Sequence, residues 1–98
     1  MHYVIFVRTD HTPDADLGHY LANVGATLEP FHGRLLAFDA PARLEGETAH
    51  SRIAILEFPA EEDARGWYHS PAYQELVAWR TGVLGRPVDI GLLKGLAG

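Results

Sequence analysis

The sequence predicts a small α+β domain in which strands and helices alternate in the order βαββαβ. Two predicted strands, 2–9 and 51–58, carry apolar residues on both faces, as strands in the middle of a sheet do. Between the strands, apolar residues recur at helical spacing in 17–28 and in 64–77. Two right-handed βαβ crossovers then place the first and third strands at the centre of one sheet. The predicted architecture is a ferredoxin-like βαββαβ sandwich.

Length and composition predict that residues 1–98 form a single globular domain. Hydrophobic residues make up 47% of the chain and charged residues 21%, which is ordinary for a globular protein. No apolar run approaches the ~20 residues of a membrane-spanning helix. The chain has no cysteine, which excludes a disulfide scaffold and thiol chemistry. Because the first residues lack the pattern of a secretory signal, we expect a cytoplasmic protein.

The charge distribution argues against a nucleic-acid partner. The chain has 13 acidic and 8 basic residues, a net charge of -5, and its arginines are scattered rather than gathered in a stripe. On average this field repels a phosphate backbone. We therefore expect neither nucleic acid nor a membrane among the partners.

The first helix is predicted to run from a start at Thr12 to an end at Glu29. Thr12 can cap the helix and Pro13 suits its first position, while the proline at position 30 favours the end at Glu29. Its apolar stripe consists of Leu17, Tyr20, Leu21, Val24 and Leu28. Gly18 and Gly25 each cost about 1 kcal/mol relative to alanine in a helix. Close packing and drift are both open as explanations for these glycines.

Turn residues delimit the other strands. Residues 34–39 are predicted to form a strand, with a short extended piece at 43–45 and a polar turn at 46–50. The last strand, over 88–92, begins beside a proline, and this favours a position at the sheet edge.

The second helical region is predicted to be split in two. Pro59 ends the preceding strand, and three acidic residues at 61–63 lie in the first turn of the next helix, where the helix dipole favours negative charge. Ser70 and Pro71 then restart the helix, with a capping serine and a proline at the first position.

The apolar character of both sheet faces implies a partner. Two helical regions cover only one face of a four-stranded sheet, yet the other face of the central strands also carries large apolar residues. We therefore expect a homodimer in which two copies join through their sheet faces.

Several motifs resemble one family of small bacterial domains. They are FHGRL at 31–35, LEG at 44–46, ILEFP at 55–59 and ARGWYHSPAYQ at 64–74, followed by Arg80. Together they span nearly the whole chain, and W-Y-x-S-P-x-Y-Q is the most specific of them. The chain resembles the domain of unknown function 1330 family, which belongs to the dimeric α+β barrel superfamily.

The resemblance implies a fold and a place for a ligand, but it assigns no reaction. The wider superfamily includes cofactor-free monooxygenases, muconolactone isomerase, polyketide cyclases and haem-handling enzymes, all with a cavity between sheet and helices. By analogy of fold alone, we expect a small-molecule pocket at that place. Family members typically have Gly-Gly where this chain has His32-Gly33, so the chain carries an imidazole where the family usually has none.

Glu57 and Arg80 interrupt apolar patterns and are the main candidates for chemistry. Glu57 shares a strand face with Ile53 and Ile55, where a carboxylate must be paired, hydrogen-bonded or protonated. Arg80 follows Tyr73 by seven residues on an apolar helix face. We predict that Glu57 and Arg80 are neighbours in space. They form either a structural ion pair or a site in which Arg80 anchors an anion and Glu57 is its hydrogen-bond partner or a base. An exposed Arg80 that complements the helix dipole is the third interpretation.

Aromatic residues and one histidine complete the candidate site. Trp67, Tyr68 and Tyr73 are either core residues or the walls of a pocket for a flat ligand, since their N–H and O–H groups need partners. His32 is either a solvated loop residue or an acid or base.

No motif indicates a bound metal or cofactor. The six histidines include no pair at i, i+4 and no H-E-x-x-H, and the cysteines usual at zinc sites are absent. A nucleophile elbow and a phosphate-binding loop are also missing from the sequence. We expect no cofactor, and haem binding is the least favoured alternative.

Two hypotheses of different class follow. In the first, the chain is a homodimeric, cofactor-free acid/base enzyme, such as an isomerase, cyclase or monooxygenase, acting on an aromatic or anionic metabolite. Its candidate catalytic residues are His32 and Glu57, and its candidate ligand-binding residues are His32, Trp67, Tyr68, Tyr73 and Arg80. In the second, the chain is a non-catalytic ligand-binding or accessory dimer in which Glu57 and Arg80 only hold the fold.

Overall fold

The computed structural model describes residues 1–9, 17–47, 50–84 and 88–96. The strands are β1 (His2–Arg8), β2 (Arg34–Asp39), β3 (Arg52–Phe58) and β4 (Asp89–Lys94). The helices are α1 (Gly18–Leu28), α2 (Glu61–Tyr68) and α3 (Pro71–Leu84), with one 3-10 turn (Glu29–Phe31) after α1. The predicted order βαββαβ is confirmed, with α2 and α3 as the two parts of the second helical region.

The four strands form one antiparallel sheet in the order β2-β3-β1-β4. The prediction that the first and third strands lie at the centre is therefore confirmed, and so is the ferredoxin-like α+β sandwich. β4 lies at an edge, paired only with β1 among the described strands. Central strands have neighbours on both sides and cover on at least one face, which is why apolar residues fill them.

The core lies between one face of the sheet and the three helices. Its buried side chains come from β1, β3 and all three helices: Val4, Tyr20, Leu28, Leu56, Phe58, Ala64, Trp67, Tyr73 and Leu76. Trp67, Tyr73 and Phe58 are the largest fully buried side chains. The rings of Trp67 and Tyr73 lie 4.0 Å apart between centroids, so the two helices of the second region share one aromatic cluster.

The opposite face of the sheet is apolar as well. Strand alternation places Tyr3, Ile5 and Val7 of β1 there, with Ile53 and Ile55 of β3. All three helices contribute to the core on the other face, so no helix of the described chain covers this one. Leu93 on the edge strand β4, which pairs with Tyr3, is 56% exposed.

The connection from α1 to β2 depends on two special residues. α1 ends at Leu28, one residue before the predicted end. His32 then takes a left-handed backbone with φ 59°, and its N–H donates to the Glu29 carbonyl over 3.2 Å. A Cβ on Gly33 would lie 2.6 Å from Phe58 Cε1 and 2.8 Å from Leu28 Cδ2, so only glycine fits there without displacing the core. The predicted start of the helix, at Thr12, lies outside the described residues.

The two glycines of α1 have no packing role. A Cβ added to Gly18 or Gly25 would meet nothing within 4 Å. Close packing, one of the two explanations left open above, is therefore wrong.

The remaining local predictions have mixed outcomes. Ser70 caps α3 as expected, since its Oγ accepts from the Tyr73 N–H at 3.3 Å. The acidic first turn of α2 is confirmed. The short extended piece predicted at 43–45 is wrong, because residues 44 and 45 lie in a bend and Leu44 is 98% exposed. No helix in the described part of the chain is long and apolar enough to cross a membrane.

Candidate functional site

A cavity of about 220 Å³ lies between α1 and the helix-facing side of the sheet. We call it the α1 cavity. Its apolar lining consists of Phe6, Leu17, Leu21, Val24, Gly25, Leu28, Leu35, Phe38, Ala54, Leu56 and Val88, and its polar lining of Arg8, Tyr20, Arg52 and Arg80. Leu21, Leu35 and Phe38 are 38%, 53% and 39% exposed, so the cavity opens between α1 and β2.

A bulge in β2 shapes the open side of the cavity. Leu35 pairs with Leu56 and Phe38 pairs with Ala54, with a register shift between Leu35 and Ala37. Without that shift, side chains three positions apart would point to opposite faces. The bulge therefore lets both Leu35 and Phe38 face the cavity.

Arg80 brings a buried positive charge to the wall of the cavity. The residue is 6% exposed, and its Nη1 donates to Tyr73 Oη over 3.2 Å. Its guanidinium carbon lies 5.5 Å from the ring centroid of Tyr20 and 5.9 Å from that of Phe6. No carboxylate of the described residues forms an ion pair with it. Burying a charge costs free energy that cation–π contacts offset only in part, so an anion bound beside Arg80 would be stabilised.

Two tyrosine hydroxyls extend the hydrogen-bond network of Arg80. Tyr20 Oη and Tyr73 Oη are 2.7 Å apart, and their rings meet edge to face. Burial raises the pKa of Tyr20, and burial together with the Tyr20 hydroxyl raises the pKa of Tyr73. Arg80 lowers both pKa values, but by less than burial raises them. Both side chains are therefore neutral hydroxyl groups at neutral pH, which makes them hydrogen-bond donors rather than bases.

Three arginines line the cavity. Arg8 and Arg52 are directly opposite each other on β1 and β3, and both line the α1 cavity together with Arg80. The described lining contains no aspartate, glutamate or histidine. Guanidinium groups bind carboxylates and other oxyanions through charge-assisted hydrogen bonds. Arg80, which is buried and meets no described carboxylate, therefore makes the cavity suit an anion with an apolar body.

Glu57 is not part of this site. Arg34 Nη2 pairs with Glu57 Oε1 at 3.0 Å, on the sheet face opposite to the helices. The prediction that Glu57 and Arg80 are neighbours is therefore wrong. Glu57 does share a face with Ile53 and Ile55, as expected, but that face is the one without helices.

The other predicted site residues are scattered. His32 is exposed and does not line the cavity. Trp67 is fully buried, and its Nε1 donates to Thr27 Oγ1 over 2.9 Å. Tyr68 lines a second cleft of about 300 Å³ between α2 and β4. Arg80 lines the α1 cavity itself, and Tyr73 reaches it through one hydrogen bond.

Sequence reasoning missed Tyr20, Arg8 and Arg52. Strand alternation carries a signal for the arginines, because Arg8 shares the face of Phe6 and Arg52 the face of Ala54. Tyr20 was assigned to the apolar stripe of α1, and nothing in the sequence separates its hydroxyl from that of a core tyrosine. Among the described residues, no group of histidine, aspartate and glutamate is placed to hold a metal ion.

The family described as Domain of unknown function (DUF1330) matches residues 2–95, nearly the whole chain. The chain belongs to this family. Residues of all four strands and three helices fall within the match, and so do all the residues that line the α1 cavity. No curated protein matches the chain.

Solved structures show the same fold at low sequence identity. A protein of unknown function from Rhodopseudomonas palustris is 18% identical with a TM-score of 0.66, over 99% of this chain and 82% of that one. SnoaB, a cofactor-independent oxygenase from Streptomyces nogalater, is 14% identical with a TM-score of 0.56, over 99% and 93%. An antibiotic biosynthesis monooxygenase is 17% identical with a TM-score of 0.56, over 99% and 100%. These likenesses establish the α+β fold that the monooxygenase-like proteins share.

Proposed function

We propose that this protein binds an anionic small molecule with a flat apolar body in the α1 cavity, and that it works there as a homodimeric, cofactor-free enzyme. The observation that carries the proposal is Arg80, a buried cation on the wall of an apolar cavity. Within the described chain it donates to a neutral hydroxyl, that of Tyr73, and it lies close enough to the Tyr20 hydroxyl to lower the pKa of Tyr20. A bound oxyanion would supply the countercharge.

The size and walls of the cavity support an aromatic ligand. Engineered cavities of about 150 Å³ bind benzene, so about 220 Å³ accommodates a ligand of one or two rings. Phe6, Tyr20 and Phe38 contribute aromatic surface, and aliphatic side chains of α1 complete the wall. Apolar walls with a few polar groups that converge on one point are typical of small-molecule sites.

The chemistry that such a site supports is stabilisation of an oxyanion. Arg80 is a fixed positive charge in a largely apolar surrounding, where it stabilises developing negative charge more strongly than water does. The described lining offers no carboxylate or imidazole as a base. The substrates that fit best are therefore acidic phenols or enols, which form the anion readily. Isomerisation, cyclisation and reaction with oxygen each have a route through such an anion, and the oxygenase named SnoaB shares the fold.

The same lining also favours the second hypothesis, binding without turnover. A site that has positive charge but no described base holds an anion as readily as it transforms one. In that case aryl carboxylates bind at Arg80, and acidic phenols or enols bind there unchanged. Oxygen consumption and product analysis with these phenols and enols separate the two functions.

The homodimer is proposed from the apolar face of the sheet. Ile5, Val7, Ile53 and Ile55 on the central strands lie on the face that no described helix covers. A second copy offers the same apolar surface, and a two-fold axis would bring the two sheets together.

The proposal is tested with naphthoate, benzoate and cinnamate as anionic probes and their amides as neutral probes. By calorimetry, we expect the acids to bind and the Arg80→Met variant to lose at least about 10-fold in affinity. The matched control is Arg65→Met, which removes an exposed guanidinium that pairs with Glu61 on α2. The proposal fails if none of the acids binds the wild-type protein, or if Arg65→Met weakens binding as much as Arg80→Met.

A further inference from the structure

We infer that Tyr20 is the hydrogen-bond donor that meets the bound anion, and that Arg80 sets the direction of its hydroxyl through Tyr73. The inference rests on the proposed function, since it assigns a contact within the same cavity. It makes Tyr20 a ligand-binding residue and Tyr73 a positioning residue.

The direction of the hydrogen bonds follows from which groups of Arg80, Tyr73 and Tyr20 can donate. A guanidinium has only donors, so at the 3.2 Å contact Arg80 Nη1 donates and Tyr73 Oη accepts. The Tyr73 hydroxyl also has one hydrogen of its own, which needs an acceptor. The other contact of this oxygen in the described chain is Tyr20 Oη at 2.7 Å. If Tyr73 donates to Tyr20, every polar hydrogen of Tyr73 is satisfied.

The opposite direction leaves a buried donor without a partner. If Tyr20 donated to Tyr73, the Tyr73 oxygen would accept twice, and its hydrogen would point into a core where the residue is 0% exposed. An unsatisfied buried donor costs about 1–3 kcal/mol. The Tyr20 hydroxyl does not leave its hydrogen without an acceptor, because Tyr20 lines the α1 cavity and can donate to a ligand or solvent there. The chain of donors therefore runs from Arg80 through Tyr73 to Tyr20 and ends in the cavity.

Two donors then face one ligand group. The guanidinium of Arg80 lies 5.5 Å from the ring of Tyr20, so its remaining N–H groups and the Tyr20 hydroxyl border the same part of the cavity. A carboxylate accepts one hydrogen bond from each, and a phenolate or enolate oxygen accepts both. The Arg80 N–H groups and the Tyr20 hydroxyl both face the ligand as donors. A ligand group that has only acceptors, such as a carboxylate, therefore satisfies them better than an amide, which also donates. The site therefore selects carboxylates and oxyanions over neutral isosteres.

The test compares naphthoate with naphthamide on the wild-type protein and on Tyr20→Phe and Tyr73→Phe. Each variant deletes one hydroxyl oxygen and keeps the ring. We expect Tyr20→Phe to weaken naphthoate by about 10- to 100-fold, the loss of a charge-assisted hydrogen bond, and to weaken naphthamide less. The affinity ratio of acid to amide should fall about 10-fold. Tyr73→Phe should weaken naphthoate less than Tyr20→Phe does, because the Tyr20 hydroxyl can still donate.

A second measurement follows the tyrosine signals of the wild-type protein when the probe is added. In protein labelled with ¹³C at tyrosine Cζ, four signals are expected, one for each tyrosine in the sequence. On addition of naphthoate, the Tyr20 signal should shift most, since the charge sits against its hydroxyl. The Tyr3→Phe, Tyr68→Phe and Tyr73→Phe variants assign the signals by elimination.

The outcomes separate this inference from the proposed function. If naphthoate binds and Arg80→Met abolishes binding, yet Tyr20→Phe keeps the wild-type ratio of acid to amide, Tyr20 is not the donor and the proposed function stands. An unchanged Tyr20 signal in the bound protein overturns the inference in the same way. If naphthoate, benzoate and cinnamate all fail to bind the wild-type protein, the proposed function itself is wrong.

Discussion

Arg80 and Tyr73 lie one above the other on α3, seven residues apart, and Arg80 Nη1 donates to Tyr73 Oη over 3.2 Å in the core. The partner of the buried cation is thus a neutral hydroxyl, whose pKa burial raises further above its ordinary value. Substituting a buried arginine lowers the free energy of unfolding more when the arginine is paired with a carboxylate than when it contacts only a phenol.

Replacing Arg80 by methionine should therefore destabilise the protein only modestly. The variant loses one hydrogen bond and two cation–π contacts, worth about 1 kcal/mol each, and it removes a desolvated charge. We expect the free energy of unfolding in urea to fall by less than about 2 kcal/mol. Breaking a buried ion pair costs about 3–5 kcal/mol, so a loss of that size would show that Arg80 has an anionic partner within the fold.

Stability should decline at alkaline pH because of the two buried tyrosines. The pKa values of Tyr20 and Tyr73 are raised above 10.0 in the folded protein, mainly by burial. Below about pH 10 both states keep these protons. Above it the unfolded chain releases protons that the folded chain retains, so the free energy of unfolding falls by up to about 1.4 kcal/mol per pH unit for each tyrosine.

Urea unfolding between about pH 9 and about pH 11 measures this slope. Tyr73→Phe removes one of the two groups, so its slope should be clearly smaller than that of the wild-type protein. Equal slopes in the two proteins would mean that Tyr73 is not shielded from ionisation.

Gly33→Ala should destabilise the fold by about 1–3 kcal/mol. The new Cβ would lie 2.6 Å from Phe58 Cε1 and 2.8 Å from Leu28 Cδ2, and both partners are tightly packed core residues. Gly25→Ala is the matched control, because a Cβ there meets nothing within 4 Å. It should stabilise α1 by up to about 1 kcal/mol. Thermal unfolding of the two variants should shift in opposite directions, and a shared direction would contradict the packing at Gly33.

His32→Gly should stabilise the protein by about 0.5–1 kcal/mol, because His32 has a left-handed backbone with φ 59°. The control is His69→Gly, where φ is -87° and glycine only adds freedom to the unfolded chain, so stability should fall. Naphthoate affinity should be unchanged in His32→Gly, since His32 does not line the α1 cavity. A loss of affinity would restore His32 as a site residue.

Ile55→Glu should turn the proposed dimer into a monomer. Ile55 lies on the central strand β3, on the face that no described helix covers, and a carboxylate buried between two sheets has no partner there. Light scattering at micromolar concentration should give a dimer mass for the wild-type protein and for Ala72→Glu, an exposed change on α3. Circular dichroism checks that Ile55→Glu is folded. A monomeric wild-type protein would end the dimer proposal.

Much of the fold could be predicted because its signals are local or periodic. The apolar residues on both faces of β1 and β3 placed these strands at the centre, and the serine and proline at positions 70 and 71 marked the start of α3. The extended piece at 43–45 was predicted wrongly because no described strand pairs with these exposed residues to hold them in an extended conformation. The bulge in β2 could not be predicted either, since it depends on the register with β3.

The site was predicted only in part. Arg80 and Tyr73 were recognised from their positions on one helix face, about two helical turns apart. Glu57 was placed on the correct strand face but paired with the wrong arginine. Alternation along a strand divides residues between two faces, and it does not say which face the helices cover.

The sequence by itself thus determined the order of the elements, the central strands and the helix boundaries near prolines and caps, because these follow from neighbours in the chain. Only the tertiary structure decided which residues line the cavity: Tyr20 from α1, Arg8 and Arg52 from the sheet, and Arg80 from α3. It also decided that Glu57 lies on the sheet face opposite to the helices. The reason is physical. Contacts between distant elements depend on how the faces of the sheet and helices pack, and many packings share the same local pattern.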